Sequence, residues 1–217
     1  RADLLAKMPG IAEAVDRAPA VDGLVVLADT ADNAGGGAPG DTTHLLRALV
    51  EAGLGPCAFG AVHDPGAVRM CEEAGAGARI MLRIGGKLGV SSGEPYDVEA
   101  EVVAVKPDHY QSFSGSRSPL GASAWIRIGD VDVILASIRT QIFGRDAFTG
   151  LGIALDGKRV VAVKSSEHFR ADFGPIAAEV ISVATPGAIQ MDFASIPYRH
   201  KLDQDFHPRV ADSLRAR

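Results

Sequence analysis

The chain is poor in the features that mark specialised protein classes. Its 217 residues include two cysteines, Cys57 and Cys71, and no CxxC pair. That excludes a disulfide-stapled miniprotein, and free, mostly buried thiols in a reducing compartment are the expectation. One tryptophan is present, and aromatic residues make up only 6%. No stretch reaches the ~18 consecutive apolar residues that a membrane span needs. The first residues lack the basic-then-apolar pattern of a signal peptide. A cytoplasmic location and no membrane partner are therefore expected. Basic residues are not in excess, since 22 Lys and Arg stand against 27 Asp and Glu for a formal net charge of -5. No nucleic-acid partner is expected from such a balance, and an anionic ligand would need a local cluster of donors. Catalytic motifs are scarce too. There is no GK[ST] after a glycine-rich loop, no HExxH, no HxH and no Cys/His quartet among the six histidines.

What is present is an ordinary globular composition, 47% hydrophobic and 23% charged. A chain of this length buries roughly 70% of its unfolded surface without metal or disulfide staples. Residues 4–18 read as an amphipathic helix broken at Pro9-Gly10. Leu24–Ala28 is a short continuous apolar run, the pattern of a strand buried on both faces. Residues 42–53 have helical spacing and a stop at Gly53. Cys57–Val62 reads as a second strand. Asp64-Pro65 is a helix start, with Asp as the cap, for a helix that runs to about Ala74. Strand, helix, strand, helix implies a parallel sheet. The style then changes to period-two alternation over 79–84, 96–105, 123–128 and 131–137, with a tight hairpin at 128–131. The polar stretch 110–121 reads as a loop, and Trp125 as inward strand packing with Ile126 and Ile128. Arg159–Val163 is another buried-type strand, followed by a helix over 167–180 with Phe169, Phe173, Ile176, Ala177 and Val180 on one stripe. A last strand covers 180–183. The tail beyond Tyr198 has little apolar periodicity. The expectation is a single α/β domain over 1–217. Its sheet is partly parallel, built from βαβ units flanked by helices, with an antiparallel β meander inserted at roughly 79–140.

Two segments carry the candidate chemistry. The loop from Asp29 to Asp41 follows a buried strand and precedes a helix, which is where open α/β sheets bind ligands. Gly35, Gly36 and Gly37 permit close backbone approaches, and their N–H groups could form an anion nest. Asp29, Asp32 and Asn33 add oxygens that could orient a polar group. The competing reading is a tight connection with Asp41 as helix cap. A nucleotide-dependent enzyme is the weakest reading, because the glycine spacing does not fit GxGxxG. The second segment, Lys164 to Arg170, repeats the geometry on the same rim. Lys164 and His168 could bind a carboxylate or carbonyl, Ser165 would line the same edge, and Ser165 or Ser166 would otherwise serve as a cap. Asp64, beside His63, is better explained as a cap than as a metal ligand. Arg83, Lys87, Arg117 and Arg139 read as solvated charges around the meander. No metal ligand is assigned.

Taken in order, LADTADNAGGGAPGDTTHLLRAL, IGGKLG, IRIGDVDVILAS and VVAVKSSEHFRADFGPIAAEVI resemble the C-terminal region of the MlrC (microcystinase C) family, over most of residues 20–200. The family commonly has Pro where Ala34 stands, which implies a less rigid loop here. The resemblance implies a zinc-dependent metallopeptidase that cleaves linearised microcystin peptides or other small amides. It implies that the zinc ligands lie in an N-terminal region absent from this chain, so that the partners are the protein's own N-terminal domain and a small peptide or amide substrate. In that scheme a metal-bound water attacks an amide carbonyl. Asp29 to Gly37 and Lys164 to His168 face the interdomain cleft as substrate-binding elements, and no catalytic residue is assigned. Because the chain starts at Arg1, it is expected to be a processed chain or part of a longer one, inactive alone. A non-enzymatic small-ligand or subunit-interaction domain is the alternative, and a homo-oligomer stays open.

Overall fold

The computed structural model describes residues 8–190, 192–203, 205, 206, 209 and 210. Helix α1 (Ile11–Arg17) starts after Pro9-Gly10, the expected break, and the segment before Met8 lies outside the described residues. Strand β1 (Val25–Asp29) is buried along its whole length. Helix α2 (His44–Ala52) buries Leu45, Leu46 and Leu49 and stops at Gly53, whose φ of 57° is left-handed. Strand β2 (Cys57–His63) leads into α3 (Pro65–Ala74). There Asp64 caps the helix as expected, its carboxylate accepting from the Ala67 N–H at 3.0 Å.

The meander follows as β3 (Arg79–Ile84), β4 (Tyr96–Phe113), β5 (Ser116–Ile128) and β6 (Val131–Ala136). Then come the short helix α4 (Asp146–Thr149), β7 (Val160–Val163), the short helix α5 (Arg170–Phe173) and β8 (Glu179–Val183). One mixed sheet of eight strands results, in the order β3-β4-β5-β6-β2-β7-β1-β8. Strands β6, β2, β7, β1 and β8 run parallel, and β3 to β6 pair antiparallel. The meander thus extends the parallel sheet instead of packing beside it.

Alternation within the buried strands feeds two cores. Val25, Leu27, Val160 and Ala162 pack on the side of α1, α2 and α3. Val26, Ala28, Val161 and Val163 pack on the other side, with Phe148 of α4, Phe169, and Phe173 of α5. This is why those strands read as unbroken apolar runs: both faces are covered. Cys57 and Cys71 are free and belong to the first core. Burial pushes both thiols up to about 11, so they stay protonated and unreactive at neutral pH.

The structure corrects three local expectations. The polar stretch 110–121 is not a loop. It continues β4 and β5 to a two-residue turn at Ser114-Gly115, with φ of 49° and 78°. Its polar groups found tertiary partners: Gln111 donates to the Gln141 carbonyl at 2.7 Å and accepts from the Phe143 N–H at 2.8 Å. Pro107 sits at a register shift in the ladder, where a missing donor costs nothing. The helix 167–180 is only the turn 170–173 plus a 3-10 turn over 174–176, because Gly174-Pro175 breaks it and the chain then extends into β8. The stripe merged a helical turn with a strand. Trp125 lies on the face opposite Ile126 and Ile128, half-buried, its indole donating to Asp132 at 2.8 Å.

His109, buried in β4, donates through Nε2 to the Ala147 carbonyl of α4 at 2.8 Å, while Nδ1 has no partner among the described residues. Burial lowers its pKa, outweighing the stabilising carbonyl. A depressed histidine contributes stability above its unfolded pKa of about 6.5 and loses it as the pH falls toward the folded value. Urea titrations between neutral and mildly acid pH should therefore show a steeper loss for the wild type than for His109→Gln. Parallel slopes would contradict the assignment.

Met8–Ile189 form one compact unit, and the described residues from Gln190 onward belong to another. In the latter, Tyr198 meets Phe206 edge to face at 5.3 Å. The tail that reads as aperiodic lies partly outside the described residues.

Candidate functional site

β1 and β7 are adjacent and parallel, so the two candidate segments leave the sheet at one edge. The loops after β2 and β6 leave at the same edge. At its centre is the Lys164 ammonium, fully buried. It donates to Asp29 Oδ2 at 2.9 Å, Asp32 Oδ2 at 2.7 Å and Thr42 Oγ1 at 2.8 Å. Three acceptors exhaust its three donors. Asp32 also accepts from the Gly40 and Thr42 N–H groups at 2.8 and 2.7 Å, and Asp29 from the Thr185 hydroxyl beyond β8. Burial alone would raise the Asp32 carboxyl. The Lys164 charge and these hydrogen bonds overcome that and hold it below the usual carboxylate range. Burial likewise pulls Lys164 down, and Asp29 and Asp32 more than restore it, so its pKa is raised.

Around this frame the loops lock together. Asn33 donates to Ser166 Oγ at 3.0 Å and accepts from the Gly35 N–H. Arg139, after β6, donates to the Ala34 and Ala38 carbonyls at 3.0 and 2.8 Å. Gln141 lies against Gly35, where a Cβ would stand 2.4 Å from its amide nitrogen. Asp41 accepts from the Lys87 and Leu88 N–H groups at 2.8 and 3.0 Å, and Lys87 pairs with Asp64 at 2.7 Å.

The candidate residues divide by exposure. Asp29, Asp32, Asn33, Lys164 and Ser165 are buried and form the frame, whereas Gly35, Gly36, Gly37 and His168 are exposed and form the surface above it. The anion nest is not formed. Gly35 N–H goes to Asn33 Oδ1, Gly36 N–H to the Asn33 carbonyl and Gly37 N–H to the Ala34 carbonyl. The glycines shape a tight turn, and their donors are spent within it. Asp41 does not cap α2; its carboxylate is held by the Lys87 segment, and Thr43 occupies the cap position. Ser165 and Ser166 do not cap α5, which starts after Phe169. Thr42, Gln141, Thr185, and Arg139 and Lys87 as loop braces, emerge only from the tertiary arrangement. The one sequence signal for Thr185 is Thr185-Pro186-Gly187 ending a parallel strand at this edge.

The carboxylates here do not fit a zinc ion. Asp29 and Asp32 converge on an ammonium that fills the space a cation would take, and Asp64 is taken by Lys87 and two N–H groups. Among the described residues, no group of three or more His, Cys, Asp or Glu could hold a metal ion.

Comparison with known proteins agrees with this architecture. The chain is 41% identical over 184 residues to Microcystinase C from a Sphingomonas species, covering 85% of the chain and 35% of that protein. It therefore spans about a third of the length of that relative. A crystal structure of a Mesorhizobium sp. BNC1 protein, provisionally named a metallopeptidase, superposes with a TM-score of 0.81 at 24% identity, covering 94% of this chain and 41% of the other, which establishes the shared fold. The model of the family described as MlrC C-terminus matches residues 27–200, and on that match this chain belongs to the MlrC C-terminal family.

Proposed function

We propose that this chain is the substrate-cleft domain of an MlrC-like, zinc-dependent amide or peptide hydrolase. It supplies binding loops, while the metal is held by the rest of the parent protein. The observation that carries this reading is the rim at the carboxyl edge of the parallel strands. A buried ion-pair frame there holds an exposed glycine turn and His168 in fixed positions. Ligand sites in open α/β sheets occupy that edge. Rigidly held binding groups are what a hydrolase needs to orient an amide. Membership of the MlrC C-terminal family supports the peptide or amide substrate class, and the 35% coverage of the relative leaves room for a separate N-terminal domain. Within the chain, Lys164, Asp29 and Asp32 keep the two loops in register. The surface over Gly35 to Gly37 and the His168 imidazole meet the substrate.

The test compares the parent protein with this chain alone. The parent should contain stoichiometric zinc and hydrolyse short linear peptides, and the isolated chain should do neither. His168→Ala in the parent should raise KM by about five- to tenfold, the loss of one hydrogen bond, and leave kcat less affected. An isolated chain that binds zinc and turns over peptides would overturn the division of labour. A parent without metal or turnover would leave the small-ligand module in its place.

A further inference from the structure

A cavity of about 910 Å³ opens between the tip of the β4–β5 hairpin and the α4 and α5 segments. Phe113, Phe143, Leu155 and Ile176 give it an apolar wall, and His168 stands at one end. The Phe113 and Phe143 rings stack with centroids 4.2 Å apart, and the His168 ring is edge-on to both, at 5.2 and 5.8 Å. The charged pair Arg145 and Asp172 at the rim is internally neutralised. Most of the remaining lining is polar, with Ser112, Ser114, Asp146, Thr149 and Asp156, so the cavity offers one apolar wall together with hydrogen-bonding groups, the combination that seats a peptide residue.

Of the polar groups, His168 is held by a relay. The Ser165 hydroxyl donates to Gln141 Oε1, and Gln141 Nε2 lies 3.3 Å from His168 Nδ1. With the amide NH2 turned toward the ring, Nδ1 is the acceptor, and in the neutral ring the proton then sits on Nε2. The Gln141 amide cannot easily move, because it is buried and pressed against Gly35, whose missing side chain makes its room. His168 Nε2 makes no hydrogen bond within the described residues, and the residue is exposed. We propose that Gln141 holds His168 as an Nε2–H donor at the head of this cavity. The cavity takes an apolar side chain of a peptide against Phe113 and Phe143, and His168 hydrogen-bonds that residue's backbone carbonyl. Gln141 is then a positioning residue. This inference rests on the peptide-cleft reading and adds the side-chain class and the group that reads the carbonyl.

The test uses this chain with 15N-labelled histidine, at a pH where the imidazole is neutral. In the wild type, Nδ1 of His168 should resonate as the unprotonated nitrogen and Nε2 as the protonated one. Gln141→Glu should move the proton to Nδ1, because a carboxylate accepts where the amide donated. Gln141→Met, which keeps the volume, should relax the ring to the mixed tautomers of a free imidazole, with a detectable Nδ1–H fraction, while retaining the fold. A wild-type ring protonated on Nδ1 would overturn the relay. N-acetyl-leucine methylamide should shift the His168 and Phe113 resonances, and N-acetyl-glycine methylamide should bind at least several-fold more weakly. His168→Ala should weaken the leucine probe by about five- to tenfold. Equal binding of the two probes, or none, would overturn the pocket assignment. These readouts need neither zinc nor turnover, so they fail independently of the hydrolase reading.

Discussion

Lys164→Met is expected to destabilise the chain by about 3–5 kcal/mol, the cost of leaving buried charges without their partner. Methionine fills much of the volume, so the loss reports charge more than packing. Asp29 and Asp32 would then face each other in a dry site with only hydroxyl and N–H donors. The measurement is urea unfolding at neutral pH, and a change below about 1 kcal/mol would mean that the ammonium is not carrying the frame. Acid and alkali bound the same network. Asp32 is depressed in the folded chain, so its contribution is present above its unfolded pKa of about 3.9 and is lost as pH falls through the folded value. Lys164 is raised, so its contribution is complete below about 10.4 and is lost as pH rises through the folded value. Wild type should show both losses, and Lys164→Met should show a flatter profile at each end.

Gly85→Ala is the second large effect, about 2–5 kcal/mol. Gly85 has φ of 57°, and a Cβ there would stand 2.2 Å from the Asp41 carbonyl oxygen, a backbone atom with nowhere to go. The left-handed conformation costs an alanine roughly 1–2 kcal/mol, and the overpacking adds roughly 1–3 kcal/mol. Gly53 is the internal control. It has the same φ, with nothing within 4 Å of its would-be Cβ, so Gly53→Ala should show the conformational cost alone. The two variants are compared by thermal unfolding and by amide exchange at Lys87 and Leu88, whose N–H groups Asp41 accepts. Exchange should quicken in Gly85→Ala and stay near wild type in Gly53→Ala. Equal destabilisation by the two substitutions would contradict the close approach.

Much of this was legible along the chain because its signals are local. Continuous apolar runs marked β1, β2 and β7, since a strand covered on both faces has no polar side to show. Asp64-Pro65 and Gly53 marked helix ends through backbone chemistry that needs no distant partner. The order of glycine loop, Lys87 loop, hairpin and Lys164 turn indicated the family. The misread segments share one cause. Residues 110–121 look like a loop because their polar groups are satisfied by Gln141, Phe143 and Asp146, far away in sequence. Asp41 and Ser165 look like helix caps because a local partner is the simplest explanation for a short polar side chain. Their actual partners lie 46 and 24 residues away.

By itself, then, the sequence determined the type of sheet, the rim that carries the polar loops and the residues gathered there. Periodicity and turn chemistry are set within a few neighbours. Only the tertiary structure decided which of those residues face inward. Lys164 became the hub of a buried frame, the glycine N–H groups were consumed in their own turn, and His168 was left outward beside an aromatic wall. Burial and donor counting depend on what other strands bring to the same point. No pattern along a single chain segment encodes that.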